Sequence, residues 1–331
     1  MGANTENTIE KNSRTNIGSI IRSNTVVMLF VLAGVIVIFT AINPSFLTTQ
    51  NIINILNASV IIGLLSIGQT FLIIAGHIDL SCGSIAALSG AIMAYIMRET
   101  GIAWPTAFLL AFLFAVLVGI INAVLVNVFE LQPFIATLAM MSVCKGATYL
   151  LCEGKAIQIA DKAFLKISAI SLAYIPLPVI IMVVMFLVFG FILARTVFGR
   201  MVYMIGGNVS AARLAGIKPK RVSTILYIIS AGASAVAGAL YCSRMFSALP
   251  GAASGAEFDA ITAVVLGGVA FIGGKGNMAG CFVGLIIIQF FSNGLVLSNM
   301  DAFWQVIAKG LLLIAALVFD FVRRKRFESR L

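Results

Sequence analysis

The sequence predicts an all-α polytopic membrane protein with about ten transmembrane helices. Three observations predict it. Of 331 residues, 61% are hydrophobic and 10% charged, against roughly 25% charged in a soluble domain. Mean hydropathy is +1.09. Apolar runs of about 20 residues, each enough to cross ~30 Å of hydrocarbon, recur along the chain. The net charge of +10 is gathered in tails and a few loops, the pattern of membrane topology. No basic stripe is interleaved with aromatics, so the charge does not indicate a nucleic-acid partner.

The apolar runs place spans at 25–42, 54–75, 82–97, 104–128, 133–152, 175–194, 222–242, 259–274, 278–298 and 303–322. Several ends have local causes. Asn43-Pro44 closes the first span, because the residue before proline is pushed out of helix. Trp104-Pro105 opens the fourth with an interfacial tryptophan and a proline tolerated in the first turn. Pro133 opens the fifth in the same way, and Pro176 and Pro178 start the sixth. The chain divides into a polar N-terminal tail (1–24), a membrane domain (25–322) and a basic C-terminal tail (323–331). No cleavable signal peptide is expected, since the first apolar run lacks a small-residue cleavage site.

Charge asymmetry orients this map. With the N-terminus in the cytoplasm, fifteen Lys/Arg residues fall on the cytoplasmic side and five on the outer side. The inner set includes Arg195, Arg200, Arg213, Lys218, Lys220, Arg221 and Lys275. The outer set is Arg98, Lys155, Lys162, Lys166 and Arg244. This bias fits ten spans with both termini cytoplasmic. Hydropathy does not separate a short span from a re-entrant one, so 76–84 or 259–277 as re-entrant segments fits too.

Four features bear on chemistry. The first is 201–221, a polar, basic break between spans inside the loop 195–221. A short Ala/Gly-rich helix over about 209–214, capped by Asn208 or Ser210 and ended at Gly216, is a shape that another protein can grip. The second is the run 76–84, where Asp79 lies between two apolar segments and an unpaired carboxylate is expensive. Ser81 and Ser84 can cap the helix that follows, and Gly76 and Gly83 allow an irregular backbone. This run reads equally as a helix cap at the membrane surface and as a structured break beside a transport path. The third is the set of polar residues within spans: Gln69, Asn122, Asn127, Lys145, Gln289, Asn293, Gln305 and Lys309. Each either joins helices or lines a wet path. As a group they suit uncharged hydroxylated cargo better than an ion. The fourth is the outer loop 153–174, the longest external connection.

No catalytic constellation or metal site is expected. His77 is the only histidine, and it reads as a solvated loop residue. The five cysteines, Cys82, Cys144, Cys152, Cys242 and Cys281, form no CxxC pair and read as small packing residues. Asp320 ends the last span beside the basic tail, where it is expected to pair. A faint echo links Ile74-Ala75-Gly76 with Ile272-Gly273-Gly274, each followed by further glycines. It is either a duplicated transporter core or the common look of glycine-rich membrane helices.

Three runs resemble one family. The run GHIDLSCGS (76–84) resembles the GGIDLSVGS-type signature of the ribose-type permeases of bacterial ABC sugar importers. The run GGNVSAARLAGI (206–217) resembles that family's ATPase-docking motif, and FDAITAVVLGGVAFIGGKGNMAGCFVGLIII (258–288) resembles its C-terminal signature. His77 departs from the family's usual glycine and Cys82 from its common valine. The resemblance implies the ABC importer permease fold and a permease subunit in the bacterial inner membrane. It implies a cargo that is a pentose, hexose or related small polyol. An extracytoplasmic binding protein would deliver it, with Lys155, Lys162 and Arg244 as docking candidates. A second permease, identical or a sister, would complete a pathway with signature or lining residues Gln69, Asp79, Ser81, Gly83, Ser84, Asn122, Asn127, Gln289 and Asn293. A cytoplasmic ATPase would grip Gly206, Gly207, Asn208, Ala211, Ala212, Arg213, Ala215 and Gly216. No GxxxxGK[ST] loop occurs, so ATP and Mg²⁺ are expected on that ATPase and no cofactor on this chain. Membrane lipid is the remaining partner. The rival is a standalone secondary carrier or facilitator, which leaves the Ala/Gly helix in a basic loop unexplained. A membrane-embedded enzyme comes third, disfavoured by the lack of a catalytic set.

Overall fold

The computed structural model describes residues 24–328. The tail 1–23, with Lys11, Arg14 and Arg22, and the last residues 329–331 lie outside the described residues. The chain runs through α1 (Asn24–Ile42), α2 (Thr49–Ile74), α3 (Cys82–Thr100), α4 (Trp104–Asn127) and α5 (Pro133–Leu151). A connecting segment follows with β1 (Ile157–Gln158), α6 (Lys162–Ala169), β2 (Ser171–Leu172) and β3 (Ile175–Pro176). Next come α7 (Leu177–Arg195), α8 (Val197–Gly207), α9 (Val209–Leu214) and α10 (Pro219–Met245). The chain ends with β4 (Ser247–Ala248), α11 (Ala256–Leu266), α12 (Met278–Leu297) and α13 (Ala302–Glu328).

Each expected span contains a helix, but the count of about ten is not confirmed. Seven helices among the described residues are long and apolar enough to cross a membrane: α2, α4, α5, α7, α10, α12 and α13 through Val322. α1 is 19 residues long, and its stretch Val27–Ile42 is apolar. The expected span 259–274 is instead an 11-residue helix, α11, which reaches only about 16 Å. Glycines 267, 268, 273, 274 and 276 explain the break: Gly268, Gly273, Gly274 and Gly276 take φ of 81°, 100°, 74° and 142°, which side-chain-bearing residues rarely adopt. α3 carries Arg98 and Glu99 in its last turn and also falls outside the seven.

The core is built around α2 and α10, the two most buried spans. The middle of α10 reads SAGASAVAGAL, and all of Ser230–Ala235 is buried. Small residues let neighbouring backbones approach closely where lipid supplies no hydrophobic drive between helices. α10 packs on α2, α3 and α4. By contrast α5, α7 and α13 leave large apolar side chains such as Leu150, Leu187, Phe303 and Val306 on the outside, where hydrocarbon is the solvent.

The segment 153–174, expected on the outer side, is more ordered than a solvated loop. β1 pairs antiparallel with β4, Ile157 opposite Ala248. Phe164 is buried, and the Ser168 hydroxyl donates to the Ser243 carbonyl at 2.9 Å. At the opposite end of the bundle the two echoed glycine breaks meet, the Gly274 N–H donating to the Ile74 carbonyl at 2.8 Å. Asp320 Oδ2 accepts the Phe271 N–H at 3.3 Å, so it fastens the 267–277 break to α13.

Candidate functional site

The chain leaves α2 at Ile74, turns at Gly76 (φ 82°) and re-enters helix at Cys82. The irregular stretch between holds a carboxylate in the protein interior: Asp79 is 1% exposed. Its Oδ1 accepts the Ser81 N–H at 2.9 Å and the Ser81 hydroxyl at 2.5 Å. Its Oδ2 accepts the Ser230 hydroxyl, from α10, at 2.8 Å. Three donors around one carboxylate replace the water it gave up.

A second ring of partners fixes the same stretch. Asn122 Nδ2, from α4, donates to Ser81 Oγ at 2.8 Å. Gln69 Nε2, from α2, donates to the Asp79 carbonyl and, at 3.3 Å, to Cys82 Sγ. The Leu80 N–H donates to Thr137 Oγ1, from α5, at 3.1 Å. Gln69 Oε1 and Asn122 Oδ1 remain buried without a partner, so the centre has capacity for two further donors. A Cβ at Gly83 would stand 2.9 Å from the Ala253 carbonyl; its absence lets the start of α3 meet the start of α11 at Glu257.

Ser81 does not cap α3 with its side chain, and Ser84, half-buried, does not cap it either. The Ser81 hydroxyl is already committed to Asp79 and Asn122, so the local device is a carboxylate turn rather than a serine cap. His77 is not a solvated loop residue. Its ring stands edge-on to Tyr227 with centroids 5.9 Å apart, and Nδ1 lies 3.4 Å from the Tyr227 hydroxyl. The aromatic neighbour on α10 explains the difference.

Of the polar residues singled out, Gln69 and Asn122 from the spans converge with Asp79 and Ser81 of the 76–84 run, with Gly83 beside them. The rest do not join them. Asn127 Oδ1 accepts from Ser223 at 2.7 Å, and its Nδ2 donates to Thr224 Oγ1 at 3.1 Å; it ties α4 to the start of α10. Asn293 and Asn51 exchange amide hydrogen bonds of 2.8 and 3.0 Å between α12 and α2. Gln289 is buried on α12. Lys309 Nζ lies 2.8 Å from Asp259 Oδ2, an ion pair between α13 and the short α11. Sequence reasoning missed Ser230, Thr137, Tyr227 and Asp259. Only Asp259 carried a signal, an acid in an apolar run with Lys309, a base, in another.

The basic break folds into two short helices. Thr196 Oγ1 accepts the Gly199 N–H at 3.2 Å and opens α8. Asn208 Oδ1 accepts the Ala211 N–H at 3.0 Å and opens α9. Gly216, φ 81°, closes it. Gly206 and Gly207 belong to the end of α8. Ala212 is 1% exposed, whereas Leu214 is 91% exposed; Ala211, Arg213, Ala215 and Gly216 are exposed too. Gly206 anchors the pair of helices. A Cβ there would overlap the Ile74 carbonyl and stand 2.6 Å from the Gly274 nitrogen. The Tyr203 hydroxyl donates to the Gly276 carbonyl at 2.7 Å. Thus α8 is seated on the end of α2 and on the 267–277 break together. At the other end of the bundle Lys155, Lys162 and Arg244 are exposed, and the β1–β4 pairing brings the segment after Lys155 beside the segment after Arg244.

Comparison with known proteins agrees with this architecture. Residues 51–317 match the family model described as a branched-chain amino acid transport system permease component. The ribose import permease protein of Bacillus subtilis is 40% identical over 287 residues, covering 86% of this chain and 89% of its own. The ribose import permease protein of Escherichia coli is 34% identical, covering 88% and 92%. The L-arabinose ABC transporter permease protein of Azospirillum brasilense is 32% identical, covering 95% and 92%. No solved structure matches the chain. With a family model spanning most of the chain and relatives of this identity over nearly their full length, this multi-pass membrane protein belongs to that family of transport-system permeases.

Proposed function

We propose that this chain is the membrane-spanning permease subunit of an ATP-driven importer for a small sugar, a pentose, hexose or related polyol. The observation that carries the reading is α9. It is a capped helix on a basic face, with Leu214 exposed and Ala212 buried, and it is joined through α8 to the interior end of α2. An element that is exposed at its tip and rigidly seated at its base suits transmission of force from a partner. The relatives named for ribose and arabinose supply the cargo class.

In this reading a cytoplasmic ATPase grips 206–216 and carries the ATP and Mg²⁺. A second permease, a copy or a sister, completes the pathway. A binding protein meets the outer face near Lys155, Lys162 and Arg244. Both termini are cytoplasmic in the bacterial inner membrane. The Asp79 centre shapes the interior end of the pathway and does not shuttle protons, because its carboxylate is held by three hydroxyl or amide donors.

The deciding experiment is reconstitution in proteoliposomes. Uptake of labelled ribose, arabinose or allose is measured with binding protein present, with and without the ATPase. The expected result is uptake that requires both the ATPase and ATP. Saturable uptake by the permease alone would overturn the reading in favour of a standalone carrier. Orientation is checked separately with single cysteines and an impermeant maleimide: position 162 labels from outside and position 325 does not.

A further inference from the structure

Beside the exposed tip of α9 lies a cavity of about 550 Å³ bounded by α8, the 215–218 turn and the first turns of α10. Its apolar wall is formed by Phe198, Met201, Val222 and Ile225, and Arg200, Lys218 and Arg221 also line it. No acidic residue lines it. The three cationic side chains are exposed, and among the described residues none of them forms an ion pair. The nearby Lys220 does, with Glu130 at 3.1 Å, so this face neutralises one cation and leaves three turned toward the groove.

The groove sits where α10, a spanning helix, enters the apolar layer. Ile225, in its second turn, is 44% exposed, and in the proposed topology it faces lipid. The site therefore combines an apolar wall that continues along the span with three fixed positive charges at its mouth. A phosphate ester at the mouth and an acyl chain along the exposed Val197 and Ile225 side chains satisfy both parts. A soluble anion would leave the apolar wall wet, and a neutral lipid would leave the cations unpaired. Basic pockets between membrane helices on the cytoplasmic side recognise anionic headgroups on this principle.

We infer that this groove binds one anionic phospholipid, with Arg200, Lys218 and Arg221 on its phosphate and Val197 and Ile225 on its acyl chain. The inference rests on the cytoplasmic orientation proposed above and not on the identity of the cargo; because Ala215 and Gly216 line the groove and also end the segment proposed for the ATPase, the test below includes the ATPase. A lipid seated there touches α8 and the 215–218 turn, so it braces the base of α9 against the start of α10.

The test places a tryptophan at the groove. Ile225→Trp is made in a chain whose two native tryptophans, Trp104 and Trp304, are replaced by phenylalanine. The chain is reconstituted in vesicles of phosphatidylcholine with a small fraction of brominated lipid. Brominated phosphatidylglycerol is expected to quench at a lower mole fraction than brominated phosphatidylcholine. Each cation neutralised by Arg200→Gln, Lys218→Gln or Arg221→Gln should reduce that preference by about fivefold. Native mass spectrometry of the unmodified chain gives an independent readout: bound phosphatidylglycerol, lost in the triple variant. Equal quenching by the two lipids, or a preference unchanged in the triple variant, would overturn the inference. Loss of the preference when the ATPase is added would also overturn it, and would assign the groove to the protein partner.

Discussion

The Asp79 centre and the α8–α9 face treat their polar groups in opposite ways. At the centre, hydrogen-bonding groups from α2, α3, α4, α5 and α10 close on one irregular stretch, and Asp79 is 1% exposed. On the α8–α9 face, polar groups mostly serve their own helix ends, and Leu214 is 91% exposed. The two regions are nevertheless neighbours along the chain path. The Ile74 carbonyl touches Gly206 and Gly274 on one side, and five residues later the chain reaches Asp79. The contrast teaches that this fold separates rigidity from accessibility. The interior stretch is fixed by side chains from many helices, while the exposed helix is fixed only at its root. Substitutions should therefore act mainly on stability at the centre and mainly on partner contact at the face.

The largest effect is expected at the centre. Asp79→Ala removes the acceptor for the Ser81 N–H, the Ser81 hydroxyl and the Ser230 hydroxyl. Stranding buried donors costs about 1–3 kcal/mol each, partly relieved by repacking. The membrane-inserted yield and the detergent melting temperature should fall steeply. Asp79→Asn keeps the size and one acceptor and should retain inserted protein with reduced transport. Equal stability of wild type and Asp79→Ala would break the comparison at its root.

Next in size is the ion pair between α11 and α13. Lys309→Met leaves Asp259 without its partner, a loss of about 1–3 kcal/mol after allowing for the partial exposure of both groups. Asp259→Asn with Lys309→Met together should cost less than either alone, because no charge is then stranded. Melting temperatures of the four chains close the cycle. Additive losses would mean that the pair carries no coupling.

How much of this was legible differs between the two regions for physical reasons. The α9 helix and its Asn208 cap could be read because capping is local: the donor lies three residues from the acceptor. The helical character of the spans could be read from apolar run length. The short α11 could not be separated from a span, since apolar composition continues past Leu266 while the glycine φ values end the helix. The Asp79 turn misled for a related reason. Ser81 has the right type and place for a cap, but its hydroxyl is claimed by Asn122, 41 residues away. Ser230 is one of several serines in a small-residue face, and only its register against Gly68 and Asp79 sets it apart. His77 looked solvated because nothing near it in sequence names Tyr227.

Between the two regions lies Gly206, and its substitution sharpens the comparison. Gly206→Ala places a methyl group on the Ile74 carbonyl, which must shift α8 away from α2. Overpacking of this kind costs about 1–3 kcal/mol. In the proposed reading the chain still inserts and keeps most of its ATPase contact, since only Gly206 of the gripped 206–216 segment is altered and the exposed surface of α9 is unchanged. Sugar uptake per ATP hydrolysed should drop severalfold. Tyr203→Phe, which deletes only the hydroxyl bond to the Gly276 carbonyl, should move the same ratio less. Unchanged uptake per ATP in Gly206→Ala would show that the contact with α2 does not carry the coupling.

The smallest effect on stability, and the cleanest on partner contact, is expected at Leu214. At 91% exposed the side chain buries almost nothing within this chain. Leu214→Ser should leave the stability of the isolated permease within about 0.5 kcal/mol of wild type. A large apolar side chain held out on a short helix is instead suited to a pocket on a partner, where burying it contributes about 1.5–3 kcal/mol. Co-purification of the ATPase and ATP-dependent uptake should therefore fall by about tenfold or more while insertion is unaffected. Ala212→Trp provides the contrast on the same helix. Ala212 is 1% exposed, so the bulky residue disrupts the seating of α9 and should lower stability as well as binding. If Leu214→Ser binds the ATPase as wild type does while Ala212→Trp fails, the gripping surface lies elsewhere on the basic face and the exposed tip is not the contact.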